Sequence, residues 1–216
     1  MIILSIDVGI KNLAIARIDF LEQKQMKILD WLLIDIGIDK ADKVCSLCKF
    51  KSKWIVDHQH MCNRHKKNAK CTMVVKNNEY LQNITVSIVN KLDEHSHFLQ
   101  SDLVLIENQP SMVNPMIKSI QIMLQSYFVM NGVMNSDSKI SYVQPIHASL
   151  KMKACKDIEC VKKLKSKYAQ KKHKAVLGCA RLLKEHQDVH LEYFNEHKKK
   201  DDLADALLQA WAYVHY

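Results

Sequence analysis

Asp7, Glu107, Asp202 and Asp205 are the acids whose positions could do chemistry. Asp7 interrupts an apolar run at the N-terminus, where four of the five preceding residues are apolar. Glu107 closes a second run, Leu103-Val-Leu-Ile. Asp202 and Asp205 lie three apart in a C-terminal helical pattern and so share a face. A carboxylate at a buried strand is costly unless it is paired or metal-bound. Four brought together would repel one another and need divalent cations between them. Hard oxygen donors of this kind suit Mg2+ or Mn2+. Two such ions per site stabilise the attacking and leaving oxygens of an in-line phosphoryl displacement, which is phosphodiester hydrolysis. Each acid also has a structural role open to it. Asp7 suits a turn, Glu107 a strand end, and Asp201 or Asp202 a helix N-terminus.

A second constellation lies in residues 40–75, which are dense in Cys, His and Lys. Cys45-Ser-Leu-Cys48 is followed by Cys62-Asn-Arg-His65, a C-x2-C-x13-C-x2-H pattern. Two ligands separated by two residues reach one tetrahedral metal from a tight knuckle, and two such pairs close its coordination sphere. One structural Zn2+ is therefore expected on Cys45, Cys48, Cys62 and His65. His58, His60 and Cys71 stand as alternatives for the fourth position. Lys53-Trp-Ile-Val between the pairs reads as a short strand.

The formal net charge of +9 points to a polyanion, and nucleic acid is the usual one. Between Lys151 and Lys174 there are ten lysines against two acids, Asp157 and Glu159, which marks a basic surface. Seven cysteines with no secretory signal pattern suit a reducing, intracellular compartment, and no apolar run is long enough for a membrane span.

The elements that must position these groups are legible from periodicity. Met1–Ile10 and Leu13–Asp19 form a hairpin, with Gly9 in its turn, and Lys27–Ile36 adds a third antiparallel strand. Asn78–His95 is helical. Leu103–Glu107 is the fourth core strand, broken at Pro110. A helix capped by Ser111 or Asn114 runs to Gly132; it is apolar almost all round, which suits deep burial or an oligomer interface. Ile140–Val143 is a short fifth strand ended by Pro145. His173–Lys184 is helical, residues 186–198 read as a polar loop, and the Ala/Leu-rich segment from Asp201 is a helix. The fold class is α/β, a mixed five-stranded sheet flanked by helices. The 216 residues form one domain, with residues 40–75 a small zinc-ribbon-like insertion within it.

Asp7-Val-Gly-Ile-Lys-Asn, Leu-Ile-Glu107-Asn-Gln-Pro and Lys-Lys-Asp-Asp202-Leu-Ala-Asp205-Ala together resemble the RuvC-like Holliday junction resolvases. The form most similar is that of poxviruses and other large cytoplasmic DNA viruses, related to mitochondrial fungal enzymes. The resemblance implies a ribonuclease H-like fold, a homodimer, and paired Mg2+-dependent nicks in branched DNA, namely four-way junctions. It implies that Asp7, Glu107, Asp202 and Asp205 are catalytic, with Lys172 or Lys174 as an active-site lysine. A viral member would work in host cytoplasm or the virion. Actin-like ATPases, which share an N-terminal Asp-x-Gly hairpin, need glycine-rich phosphate loops that 4 glycines do not supply. Two alternatives stand beside this reading: another ribonuclease H-like nuclease, and a non-catalytic zinc-ribbon nucleic-acid-binding protein.

Overall fold

The N-terminal run folds as a meander of β1 (Ile2–Val8), β2 (Asn12–Phe20) and β3 (Met26–Asp35), paired antiparallel. Then come three short strands, β4 (Trp54–Val56), β5 (Gln59–Met61) and β6 (Met73–Val74). They are followed by α1 (Asn78–Asp93), β7 (Leu103–Asn108), α2 (Pro115–Phe128) and β8 (Tyr142–His147). Three helices close the chain: α3 (Lys167–Glu185), α4 (His190–Glu196) and α5 (Lys200–His215). The structure, a computed structural model, describes residues 1–21, 25–37, 44–48, 50, 52–56, 59–66, 73–74, 78–112, 114–159 and 166–216. It divides into two compact units, one of Met1–Ile36 with Val89–Tyr216, the other of Gly37–Ile88.

The larger unit is built on a five-stranded sheet in the order β3-β2-β1-β7-β8, with β1, β7 and β8 parallel. The central strands β1 and β7 are buried on both faces, which is why they read as unbroken apolar runs. Alternation puts Ile3, Ser5 and Asp7, with Leu103, Leu105 and Glu107, on one face. α5 covers that face. Leu203, Leu207 and Ala210 of α5 share a buried cluster with Ile3, Ala14, Ala16 and Leu105. Two polar contacts tie α5 down: Gln209 Nε2 donates to the Ile6 carbonyl, and Trp31 Nε1 donates to the Leu203 carbonyl at 3.0 Å. α2 packs beside β7 and β1. Its N-cap is Asn114, whose side chain accepts from the Met116 and Ile117 amides.

Three sequence expectations are corrected. β8 runs through Pro145 to His147 instead of stopping there. It is the outermost strand and pairs only with β7, and an edge strand tolerates a residue without an N–H. Residues 186–198 contain α4, because Phe194 is fully buried and stacks on Trp31 at 5.3 Å. α3 begins at Lys167, inside the lysine-rich stretch, with Ser166 as its N-cap. Phe194→Ala is expected to cost about 3–5 kcal/mol, as for other buried aromatics; chemical unfolding of the variant measures it.

The smaller unit holds the antiparallel sheet β5-β4-β6. Its buried cluster is small: Cys45, Val56, Met61 and Cys62, with Cys48 and Trp54 partly buried against them.

Candidate active site

β1 and β7 run parallel with Ser5 opposite Leu105 and Ile6 opposite Ile106, so the next step along both strands sets Asp7 beside Glu107. α5 crosses this end of the sheet and brings Asp205 over it. All three carboxylates surround one cation, Lys151. Its Nζ lies 2.5 Å from Asp205 Oδ2, 3.3 Å from Glu107 Oε2 and 3.7 Å from Asp7 Oδ1. The Lys151 side chain is only 13% exposed. It sits on a 3-10 turn, Leu150–Cys155, that directly follows β8. That turn is held against α3: a Cβ at Gly178 would lie 2.6 Å from the buried Cys155 sulfur, so glycine permits the approach.

Burial and geometry set the charges here. Burial, and then the hydrogen bond and charge of Glu107, push the Asp7 carboxyl well above its ordinary range, against the pull of Lys151 and Lys172. Burial also raises Asp205, to about 6; Lys151 opposes the rise and Asp7 adds to it. Desolvation works against the Lys151 ammonium, but Asp7, Asp205 and Glu107 together hold it charged. The cluster thus carries more negative charge than its surroundings tolerate, and one lysine offsets only part of it.

Asp202 occupies the first turn of α5, 3.9 Å from Lys172 and 3.8 Å from Lys199. Its carboxyl is raised by burial and by the charges of Asp201 and Asp7. Lys172 Nζ donates to Asp201, whose carboxyl it lowers against the effect of burial. The α5 N-cap position is Lys199, with no side-chain cap hydrogen bond; Asp201 and Asp202 lie in the first turn, where the Asp201 carboxyl accepts from the Asp201 and Asp202 amides. Lys174 points elsewhere and donates to the Lys156 carbonyl. Of the two expected lysines, Lys172 is thus the one beside the acids, and Lys151, which the sequence did not single out, lies among them.

The β1–β2 turn runs close by. Gly9 has no positive φ; its value is space, because a Cβ there would sit 2.6 Å from the Asn12 carbonyl oxygen. After β7, Gln121 of α2, 2% exposed, accepts from the Gln109 amide and from Lys118. This fixes the segment that follows Glu107.

The donor set at the sheet end is oxygen only, three carboxylates around the Lys151 ammonium; donors of this type suit a hard divalent cation, although their oxygens are not drawn within 4.8 Å of one another as metal ligands would be. The second constellation is tighter. Cys45 Sγ is 3.4 Å from His65 Nδ1, Cys48 Sγ is 3.5 Å from Cys62 Sγ, and Cys62 Sγ is 3.5 Å from His65 Nδ1. A tetrahedron with Zn–S bonds of about 2.3 Å has edges of about 3.8 Å, so these four atoms fit zinc. Each knuckle closes a backbone turn, Cys48 N to Cys45 O and His65 N to Cys62 O. Desolvation resists ionisation of Cys45, but the Leu47 and Cys62 amides and His65 bring its thiol down to about 6, toward the thiolate that binds metal. Among the described residues this is the one group of Cys, His and acid ligand atoms drawn within 4.8 Å of one another. Of the alternative ligands, His60 pairs with Ser52 instead, and His58 and Cys71 lie outside the described residues.

Residues 3–111 match the family of the mitochondrial resolvase Ydc2 and the RNA-splicing protein MRS1, in its catalytic domain. The chain belongs to this resolvase family. An uncharacterized protein of Acanthamoeba polyphaga mimivirus is 31% identical over 214 residues, covering 83% of this chain and 51% of the relative. The chain therefore spans about half the length of that curated relative. Yeast mitochondrial Holliday junction resolvase Ydc2 superposes with a TM-score of 0.58 at 16% identity, covering 98% of this chain and 78% of Ydc2. Fowlpox virus resolvase, solved with its substrate Holliday junction DNA, gives 0.56 at 17%, covering 100% and 97%. These likenesses establish the ribonuclease H-like, mixed five-stranded fold.

The cluster supports one local test. Lys151→Met leaves three carboxylates without their cation, and losing one partner of a buried ion pair costs on the order of 3 kcal/mol. The variant is expected to melt well below the parent in chelator, with Mg2+ restoring most of the difference. Thermal unfolding with and without Mg2+ measures both.

Proposed function

We propose that the chain is a Holliday junction-resolving endonuclease that makes paired, symmetric nicks in four-way DNA junctions. The observation that carries this is the convergence of Asp7, Glu107 and Asp205, from two parallel strands and a crossing helix, on one point of positive charge. Membership in the Ydc2 family and the fold shared with a junction-bound viral resolvase support it. Asp7, Glu107, Asp202 and Asp205 would hold two Mg2+ or Mn2+. Bound there, the ions would activate a water and offset charge on the leaving 3′-oxygen.

The chain's own groups do the rest. β1 and β7 present Asp7 and Glu107 from a rigid sheet end, so their position survives substrate binding. Gln209 and Trp31 fix α5 and with it Asp202 and Asp205. Lys151 keeps positive charge within the carboxylate cluster. Lys172 restrains Asp201 and Asp202 in the first turn of α5.

Symmetric nicking needs two sites, and a homodimer related by a two-fold axis supplies them. Four exposed apolar side chains, Ile122 of α2 and Met130, Val133 and Met134 after it, offer material for such a contact. One structural Zn2+ would be held by Cys45, Cys48, Cys62 and His65 of the insertion, residues 40–75, within a nuclease domain spanning the chain. Among the described residues the five cysteines are free and no helix is long and apolar enough to cross a membrane. A reducing compartment, such as the host cytoplasm of a virus, is consistent with those thiols.

The test compares a four-way junction, a linear duplex and an RNA–DNA hybrid of the same sequence, each with Mg2+. The junction alone is expected to be cut at an appreciable rate. Preferential cleavage of the hybrid would favour a different ribonuclease H-like nuclease, and cleavage of none would favour a binding protein.

A further inference from the structure

The unit Gly37–Ile88 carries ten basic side chains and four acidic ones, a net +6 of the chain's +9. From Val44 to Val74 the sequence has seven basic residues against one acid, Asp57. Arg64 and Lys66 have no carboxylate partner among the described residues. Each lies instead over an aromatic ring: the Arg64 guanidinium carbon is 5.0 Å from the centre of Phe50, and Lys66 Nζ is 4.1 Å from the centre of Trp54. The Trp54 ring is oriented by its Nε1, which donates to Asn63 Oδ1 at 2.8 Å.

The placement of Phe50 runs against the needs of the ribbon. Its core has four buried residues, yet Phe50 is 59% exposed and neighbouring Leu47 61%. A small core short of apolar material leaves its phenylalanine outside, under a guanidinium. Aromatic rings and Arg planes in a net positive field are what single-stranded nucleic acids need: bases stack on the rings while phosphates meet the cations. A second copy of this strongly basic unit would be repelled, which excludes a self-association face.

We propose that the Phe50–Arg64 and Trp54–Lys66 face of the zinc ribbon binds unpaired DNA. The choice of DNA over RNA rests on the nuclease reading above; the surface itself does not. It gives the protein a contact for unstacked nucleotides separate from its carboxylate cluster.

The experiment uses the full chain with zinc and a short fluorescent oligothymidylate, read by anisotropy. Removing the stacking ring and its cation together, Phe50→Ser with Arg64→Ser is expected to weaken binding about tenfold or more. Phe50→Tyr is expected to retain it. Zinc content stays at one per chain in both if the ribbon is folded. Should the double variant lose zinc, Arg64→Glu alone is judged by the same criterion, since that exposed side chain is no ligand. Unchanged affinity in the zinc-loaded variant would overturn the proposal. Tighter binding of oligouridylate than of oligothymidylate would overturn the choice of DNA. Because the probe contains no junction and Asp7→Asn is expected to bind it normally, the outcome is independent of whether the chain cleaves junctions.

Discussion

Asp7→Asn is expected to slow junction cleavage by about three orders of magnitude or more, while junction affinity changes by less than about twofold. The asparagine keeps the shape of the side chain but cannot carry the charge that a divalent ion requires. Loss of metal-based charge stabilisation is worth several kcal/mol, and each 1.36 kcal/mol is about tenfold in rate. The same variant is expected to be at least as stable as the parent in chelator. Burial and Glu107 already disfavour the ionised Asp7, so a neutral amide there relieves repulsion. A group kept at a cost to the fold is one kept for chemistry. Single-turnover cleavage, junction binding and thermal unfolding check the three parts. A variant that cleaves at the parental rate would show that Asp7 is not a metal ligand.

The second large effect concerns the ribbon. Metal analysis is expected to find one zinc per chain, and its removal to unfold residues 44–66. The buried cluster offers only Val56 and Met61 besides its cysteines, each worth about 1.5–3 kcal/mol. Zinc in such sites contributes about 10–16 kcal/mol, so the metal dominates. Amide exchange after chelation would show protection lost across the ribbon and retained in β1, β2 and β7. A metal-free protein with a protected ribbon would contradict this. Cys48→Ser is expected to reproduce the effect of chelation.

The strands that hold the site were legible because their burial is extreme. β1 and β7 are covered on both faces, so they appear as apolar runs, and their acids stand out as interruptions. The sequence leaves open whether the first and fourth core strands are neighbours; the structure pairs β1 with β7 in parallel register. α5 was legible from its Ala and Leu content. Lys151 was not. It is one of ten lysines in a run, and what selects it is the short turn after β8, pressed by Cys155 against Gly178. No local pattern encodes that contact. α4 was missed for a related reason. His-Leu-Glu-Tyr-Phe-Asn-Glu is mostly polar, and the burial of Phe194 depends on Trp31, far away in sequence on β3. Pro145 misled in the other direction, since its meaning depends on whether β8 has a neighbour on its second side. The ribbon spacing was legible because knuckle geometry is local.

The central claim is that the carboxylate site resolves junctions, and mapped nicks test it most directly. A synthetic four-way junction, labelled on each strand in turn, is incubated with the full chain and Mg2+. The account predicts nicks at equivalent positions on two opposing strands, yielding two duplexes whose nicks a ligase can seal, and no product from Asp7→Asn. Nicks scattered over all four strands, or equal cutting by Asp7→Asn, would contradict it.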